Sequence, residues 1–308
     1  KSTRILFATT FCLAIISTTT RAADPIPDYL IQVSEANLTT YVTALVGYGP
    51  RLVSAYQVYT DASCTYGPPD AVNNLDRAAN YAKSVLDAMG YTAVLEAVPG
   101  YGHNVVVTKV GTVYPNTYIE FGAHLDTKPG TPGANDNGSG SAAVMELARV
   151  LKNYPSRYSM TFALWVGEET GGFAGAYYHI DQMLATGKQI KAGLNMDNMG
   201  QIGPGNIYRN DIWTHNANDL QIWDIMTLVN TQYSLGLTLV NNGTPCGACS
   251  DHAAYWARGL TAVTSVGGWT YSSPCYHQCC DVVAEFNAPQ TAKVAKQNLA
   301  TGLKLDQD

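Results

Sequence analysis

The stretch "TYIEFGAHLDTKPGTPGANDNGSGSAAVMELARVL", residues 117–151, passes from one periodicity to another. Thr117 to His124 is rich in β-branched and aromatic residues and reads as a strand. From Ser139 to Leu151, the apolar residues Val144, Leu147, Ala148 and Leu151 share one face at helical spacing. A glycine-broken loop joins the two segments. Strand, loop and helix in this order begin a βαβ unit, the building block of a parallel sheet.

The alternation extends in both directions. The patterns predict a helix over Ala71–Met89 and strands over Tyr91–Val98, Asn104–Val110 and Met160–Val166. They further predict a helix over Phe173–Leu184, a strand over Ala192–Met196 and a helix over Ala217–Tyr233. Strands over Leu237–Val240 and Leu260–Val266 and a closing helix over Pro289–Lys304 complete the set. There is no internal repeat and no linker. The fold class is therefore α/β: a single globular domain over residues 24–308, with a mixed, mostly parallel central sheet and helices on both faces.

Residues 1–23 read as a signal peptide. Lys1 and Arg4 precede an apolar run, Ile5 to Ile16, too short to span a bilayer, and "STTTRAAD" supplies small residues for cleavage. Secretion to the extracellular space follows from that reading. The net charge of −6 and the lack of basic blocks argue against nucleic acid and membrane surfaces as partners. Six cysteines follow the leader, and an even number in a secreted chain predicts disulfides. Cys246–Cys249 and Cys275–Cys280 are the expected bridges, with Cys279 left for Cys64; the last two pairings are exchangeable. Asn37, Asn137 and Asn242 begin glycosylation sequons.

Ligands of such sheets gather beyond the carboxyl ends of the strands. Acidic residues and histidines crowd those positions here. His124 and Asp126 end one strand, Glu168 and Glu169 follow the next, and Asp197 ends a third. Asp136 begins a helix, and His277 follows a late strand. Each has a bland alternative: a structural His–Asp pair, a solvated Glu pair, a helix cap, a turn. Coincidence at every one of these places is a far less economical account. Two imidazoles and three carboxylates without thiolate suit zinc or a similar ion. Five side chains exceed one catalytic zinc, so two metals with a bridging carboxylate fit better, and Glu168 is then free for proton transfer. Alternating strand geometry lets Asp126 brace His124 from the same side.

The pieces "GAHLDT", "GANDNGSGSAAVMELARVL", "GEETGGFAGA", "NMDNMG", "CSDHAAYWARG" and "CYHQCCD", in this order, make the chain resemble the secreted co-catalytic dizinc aminopeptidases, the leucyl-aminopeptidase-like family of bacteria and fungi. The likeness reaches back through "LTTYVTALVGYGPR". The resemblance implies two zinc ions. His124 and Asp197 would hold one, Glu169 and His277 the other, and Asp136 would bridge them. It implies that Asp126 orients His124 and that Glu168 is the general base and acid. It further implies a monomeric enzyme acting on peptides with a free N-terminus and an apolar first residue. A glycan at Asn137 would obstruct that site, so only Asn37 and Asn242 are expected to carry sugar.

The chain departs from these relatives in two places. Only Gly247 and Ala248 separate Cys246 from Cys249, where relatives carry a longer loop with an assisting tyrosine; Tyr255 and Tyr276 are the candidate substitutes. Asn198 follows Asp197 where relatives often carry an apolar residue. Ser250 is a candidate helix cap. His103, His179, His215 and His252 have no ligand partner at suitable spacing and read as structural. The rivals are a carboxypeptidase, for which Arg209 is the arginine best placed to grip a carboxylate, a glutaminyl cyclase, and a non-enzymatic binding module.

Overall fold

In the computed structural model, residues 24–53, 74–202, 205–244, 247–268 and 273–308 are described. The signal reading, Cys64 and Cys246 lie outside them. The helices are α1 (Ile26–Leu30), α2 (Glu35–Gly47), α3 (Asn74–Ala88), α4 (Gly138–Leu151), α5 (Ala174–Ala185), α6 (Ala217–Gln232), α7 (His252–Trp256) and α8 (Ala288–Gln307). The strands are β1 (Val94–Val98), β2 (Gly102–Lys109), β3 (Tyr114–His124), β4 (Tyr158–Trp165), β5 (Gln189–Asp197), β6 (Arg209–Trp213), β7 (Thr238–Gly243) and β8 (Ala262–Val266). They form one sheet in the order β1-β2-β4-β3-β5-β8-β6-β7.

The centre of the sheet is parallel. β3 pairs in parallel with β4 and β5, and β5 with β8. The register places His124 opposite Trp165 and Asp197 opposite Val266, so the carboxyl ends of these strands form one rim. Antiparallel pairs extend the sheet outward, from β2 to β4 on one side and from β6 to β8 on the other.

Alternation along β3 decides which face each side chain serves. Ile119, Phe121 and Ala123 enter the larger core, with residues of α2, α3, α4 and α8. Tyr118 enters a smaller core with Trp165 of β4, Ala176 and Ile180 of α5 and Tyr255 of α7. Helix α8 lies so close to the sheet that a Cβ on Gly302 would come within 2.3 Å of the Phe121 ring.

The smaller core encloses charge. Glu120 of β3 is fully buried. Tyr255 donates its hydroxyl to Glu120 at 2.8 Å, and His179 bridges Glu120 and Glu96 at 3.2 and 3.3 Å. Burial alone would lower the His179 imidazole, but Glu120 and Glu96 raise it to about 9. His179 is thus a structural imidazolium, and Tyr255 is committed to Glu120 rather than to the rim of the sheet.

The predicted helices and strands are found with shifts of a few residues at their ends. The strand β6 ("RNDIW") carried no apolar signal. Its polar side chains are buried with partners instead: Asn210 donates to Gln297 at 2.8 Å. Helix α7 begins after Asp251, so Ser250 is not its cap.

Candidate functional site

The rim of β3, β4, β5 and β8 collects the residues expected there. His124 donates from Nδ1 to the backbone carbonyl of Asp126 at 3.1 Å. That bond fixes the ring and turns Nε2 toward Asp136 Oδ1 and Asp197 Oδ1, each 3.3 Å away. The other oxygen of Asp136 lies 3.0 Å from His277 Nε2, which is 3.5 Å from Glu169 Oε2. Asp136 therefore faces one imidazole with each oxygen. His124, Asp136 and Asp197 bring ligand atoms within 4.8 Å of one another, and so do Asp136, Glu169 and His277. His124, Glu168 and Glu169 form a third such group.

Local structure aims these side chains. Asn137 caps α4, accepting from the Gly140 N–H at 2.9 Å, and its Nδ2 donates to the Met196 carbonyl at 3.0 Å. Its side chain is fully buried, which leaves no room for sugar at that sequon. The peptide bond joining it to Asp136 is cis. His277 sits at a positive φ of 57° inside the short loop closed by the Cys275–Cys280 disulfide. Tyr276 stacks on its ring, with centroids 3.7 Å apart. Cys249 is disulfide-bonded, while its expected partner Cys246 lies outside the described residues. Cys279 carries a free thiol, and its expected partner Cys64 lies outside the described residues. The closure of Cys275 on Cys280, with Cα atoms 5.1 Å apart, leaves Cys279 over.

The brace differs in detail from the sequence reading. The Asp126 carboxylate is 3.8 Å from His124 Nδ1, and the contact at hydrogen-bond distance is its main-chain carbonyl. The carboxylate instead accepts the N–H groups of Glu168 and Glu169 at 3.4 and 3.2 Å, tying the glutamate pair to the β3 end.

Several residues around the site were given no role in it by the sequence reading. Asp281 accepts the N–H groups of Asn135 and Asp136 at 2.8 and 3.0 Å. Arg51, fully buried, donates to the carbonyls of Leu125, Pro132 and Gly133 at 2.7, 2.8 and 3.1 Å and so shapes the loop between them. Ser250 donates to Asp197 at 2.7 Å while accepting from Asn195 at 2.9 Å. Lys128 lies 3.1 Å from Glu169. The proximity of "TK" and "CSD" to the recognised motifs was the only sequence signal for Lys128 and Ser250.

The site holds more negative charge than its own cations balance. Burial pushes Glu169 up to about 8, and Asp136 adds to the rise. Burial also raises Glu168 well above its ordinary value, against the pull of His124 and with help from Asp197, Glu169 and Asp251. Burial would raise Asp136 too, but hydrogen bonds from His124 and His277 hold it well below the usual carboxylate range. His124 is held well above its ordinary value, because Glu168, Asp197 and Asp136 outweigh the effect of burial. Bound dications reverse such a balance by supplying the missing positive charge. Glu169 Oε1 is buried without a hydrogen-bond partner among the described residues, an acceptor that a cation would satisfy. Donors of nitrogen and oxygen without sulfur suit zinc.

A cleft of about 140 Å³ opens on the site, lined by Asp136, Glu168, Asp197 and His277 together with Asn198, Trp213, Cys249, Val266 and Tyr276. No arginine or lysine lines it among the described residues. Arg209 is paired with Asp211 on its own strand.

Known proteins share this arrangement of chain and sequence. The chain is 30% identical over 223 residues to leupeptin-inactivating enzyme 1 of Streptomyces exfoliatus, covering 68% of this chain and 50% of that one. It is 40% identical over 107 residues to an aminopeptidase of Pseudomonas aeruginosa, covering 34% of this chain and 20% of that one. The chain spans half or less of the length of these two relatives. Among solved structures, the LapA aminopeptidase of Legionella pneumophila superposes with a TM-score of 0.76 at 19% identity, over 99% of this chain and 80% of that one. A glutaminyl cyclase of Bacteroides thetaiotaomicron gives 0.66 at 17% identity, over 88% and 97%. These two likenesses establish the zinc-exopeptidase-like fold. The family model of peptidase family M28 matches residues 104–302, well over half of the sequence and inclusive of every expected ligand, and the chain belongs to that family.

Proposed function

We propose that the protein is a secreted, two-zinc aminopeptidase that removes N-terminal residues from peptides. The observation that carries the reading is the pair of three-residue groups that share Asp136. His124 and Asp197 would hold one ion, Glu169 and His277 the other, and Asp136 both. Two ions held there would supply Lewis acidity to the scissile carbonyl and to an attacking water. Glu168 takes the proton of the attacking water and passes it to the leaving amine, a transfer suited to a carboxyl whose affinity for protons is raised by burial. Tyr276, kept a neutral phenol by burial and by Asp136, Asp197 and Glu169, offers an O–H to the negative charge that develops on the carbonyl oxygen.

The carboxylates that line the cleft favour a substrate's α-ammonium group. A carboxypeptidase needs a cation for the opposite end of the peptide, usually an arginine, and among the described residues no arginine or lysine lines the cleft. Trp213 and Val266 give the cleft apolar walls, which suit neutral and chiefly apolar first residues. Two metal-holding groups favour a peptidase over a one-zinc cyclase. The leader read in residues 1–23 and the sequons at Asn37 and Asn242 fit export as a glycoprotein.

The test is hydrolysis of aminoacyl p-nitroanilides, free and N-acetylated, before and after chelation. The free substrates should be cleaved, the acetylated ones should not, and zinc should restore activity lost to chelator. Efficient cleavage of an N-blocked peptide from its C-terminus would overturn the reading.

A further inference from the structure

One polar side chain in the cleft has no task in metal binding or proton transfer. Asn198 follows Asp197 and lines the cleft while only 8% exposed. Its backbone has a φ of 55°, a left-handed conformation that asparagine adopts more readily than most residues. Its N–H donates to Asn137 Oδ1 at 3.2 Å, which fixes the base of the side chain.

The orientation of its amide follows from its neighbours. The Gly200 N–H donates to Asn135 Oδ1 at 2.6 Å, so that oxygen must be the acceptor. Asn135 then has only Nδ2 to offer on its other side, and it donates to Asn198 Oδ1. Asn198 thus uses its acceptor inside the protein. Its Nδ2, a donor only, makes no hydrogen bond among the described residues. In a cleft that also holds the carboxylates of Asp136, Glu168 and Asp197, this is a neutral donor beside the apolar walls of Trp213 and Val266.

We propose that Asn198 is a specificity-determining residue whose Nδ2 donates to an acceptor atom on the side chain of the substrate's first residue. Apolar walls select bulk; the amide then favours, between side chains of equal shape, the one that carries an oxygen. Thr is preferred to Val and Asn to Leu. The inference rests on the aminopeptidase reading and qualifies its apolar preference.

The test compares kcat/KM for the Val, Thr, Leu and Asn p-nitroanilides with the zinc-loaded wild type, N198G and N198D. N198G keeps access to the left-handed backbone and removes the donor. N198D keeps the shape and replaces the donor with an acceptor. The Thr/Val and Asn/Leu ratios should fall about tenfold in N198G, the worth of one hydrogen bond; in N198D the fall is read on the ratio of O-methylserine to norvaline p-nitroanilide, because an ether oxygen only accepts whereas Thr and Asn could donate to the new carboxylate. Ratios unchanged in both variants would overturn the proposal. An equal fall for all four substrates would overturn it as well, by assigning the amide to the reacting carbonyl. Melting temperatures identify a variant that has lost its fold, and if N198G does so the near-isosteric N198D decides. Wild-type protein that cleaves none of the four would sink the aminopeptidase reading itself, and this proposal with it.

Discussion

Glu168 and Glu169 are neighbours in sequence with different surroundings. Glu169 Oε2 is 3.5 Å from His277 and 3.1 Å from Lys128, in contact with one metal-holding group. Glu168 lines the open cleft and lies outside the two groups that share Asp136. An amide of the same size at position 168 cannot carry a proton. Glu168→Gln should therefore keep its fold and its zinc but lose 10²–10⁴-fold in kcat, the usual contribution of a positioned acid–base group. Metal analysis and steady-state kinetics on one preparation check both halves of that statement; near-normal turnover would rule out the role. At this scale, the candidate site was legible wherever a side chain itself does the work. His124, Asp136, Glu169, Asp197 and His277 stand at strand ends and loop positions where each has a routine alternative singly, and only their coincidence at one sheet rim points to a site. Arg51 and Asp281 were not legible, because they act on main-chain carbonyls and N–H groups, and any sequence supplies those. The sequence reading had Asp126 orient His124; the atom at hydrogen-bond distance is its backbone oxygen, which any residue would supply, and the carboxylate lies 3.8 Å from Nδ1.

Elements were legible in proportion to how cleanly their apolar residues repeat. β3 and α4 carry the periodicities of strand and helix, and both were found within a few residues of their expected limits. β6 was missed because its buried polar groups find partners in the fold, and pairing of that kind leaves no trace in hydropathy. The contact between β3 and α5 shows the same effect with charge. His179 of α5 is held between Glu120 of β3 and Glu96 of β1, and its pKa is raised from 6.5 to about 9. Its folded-state value exceeds the unfolded one. The stabilisation it brings is therefore complete below pH ~6.5 and is lost as pH rises through about 9. The shift corresponds to ~3 kcal/mol, as an order of magnitude. Urea unfolding at pH 6 and pH 9.5 should show this loss in wild type. His179→Gln should be less stable at pH 6 by ~3–5 kcal/mol, the usual consequence of breaking a buried ion pair, and should lack this part of the pH dependence. Equal pH slopes in the two proteins would contradict the assignment.

At the scale of the molecule, the residues proposed to hold metal come from positions 124 to 277 and meet at one sheet rim, so metal bound there would be coupled to global stability. A ligand that binds only the folded state stabilises it by mass action. Chelation should lower the melting temperature by ~5–10 °C, the shift that ~3 kcal/mol gives in a chain of this size. Asp136→Asn should shrink the chelator effect, because that carboxylate belongs to both metal-holding groups. Differential scanning calorimetry with and without chelator measures both; an unchanged melting temperature in wild type would mean that no structurally coupled metal had been bound. The grip of Asp281 on the Asn135 and Asp136 N–H groups spans 146 and 145 residues of sequence. Translation delivers the amino end first, so Asp136 emerges long before the residue that pins its loop. A ribosome-bound fragment carries most of the ligands without their final arrangement. The loop that carries Asp136 is thus held in its final shape only once the segment containing residue 281, far along the sequence, has docked against it.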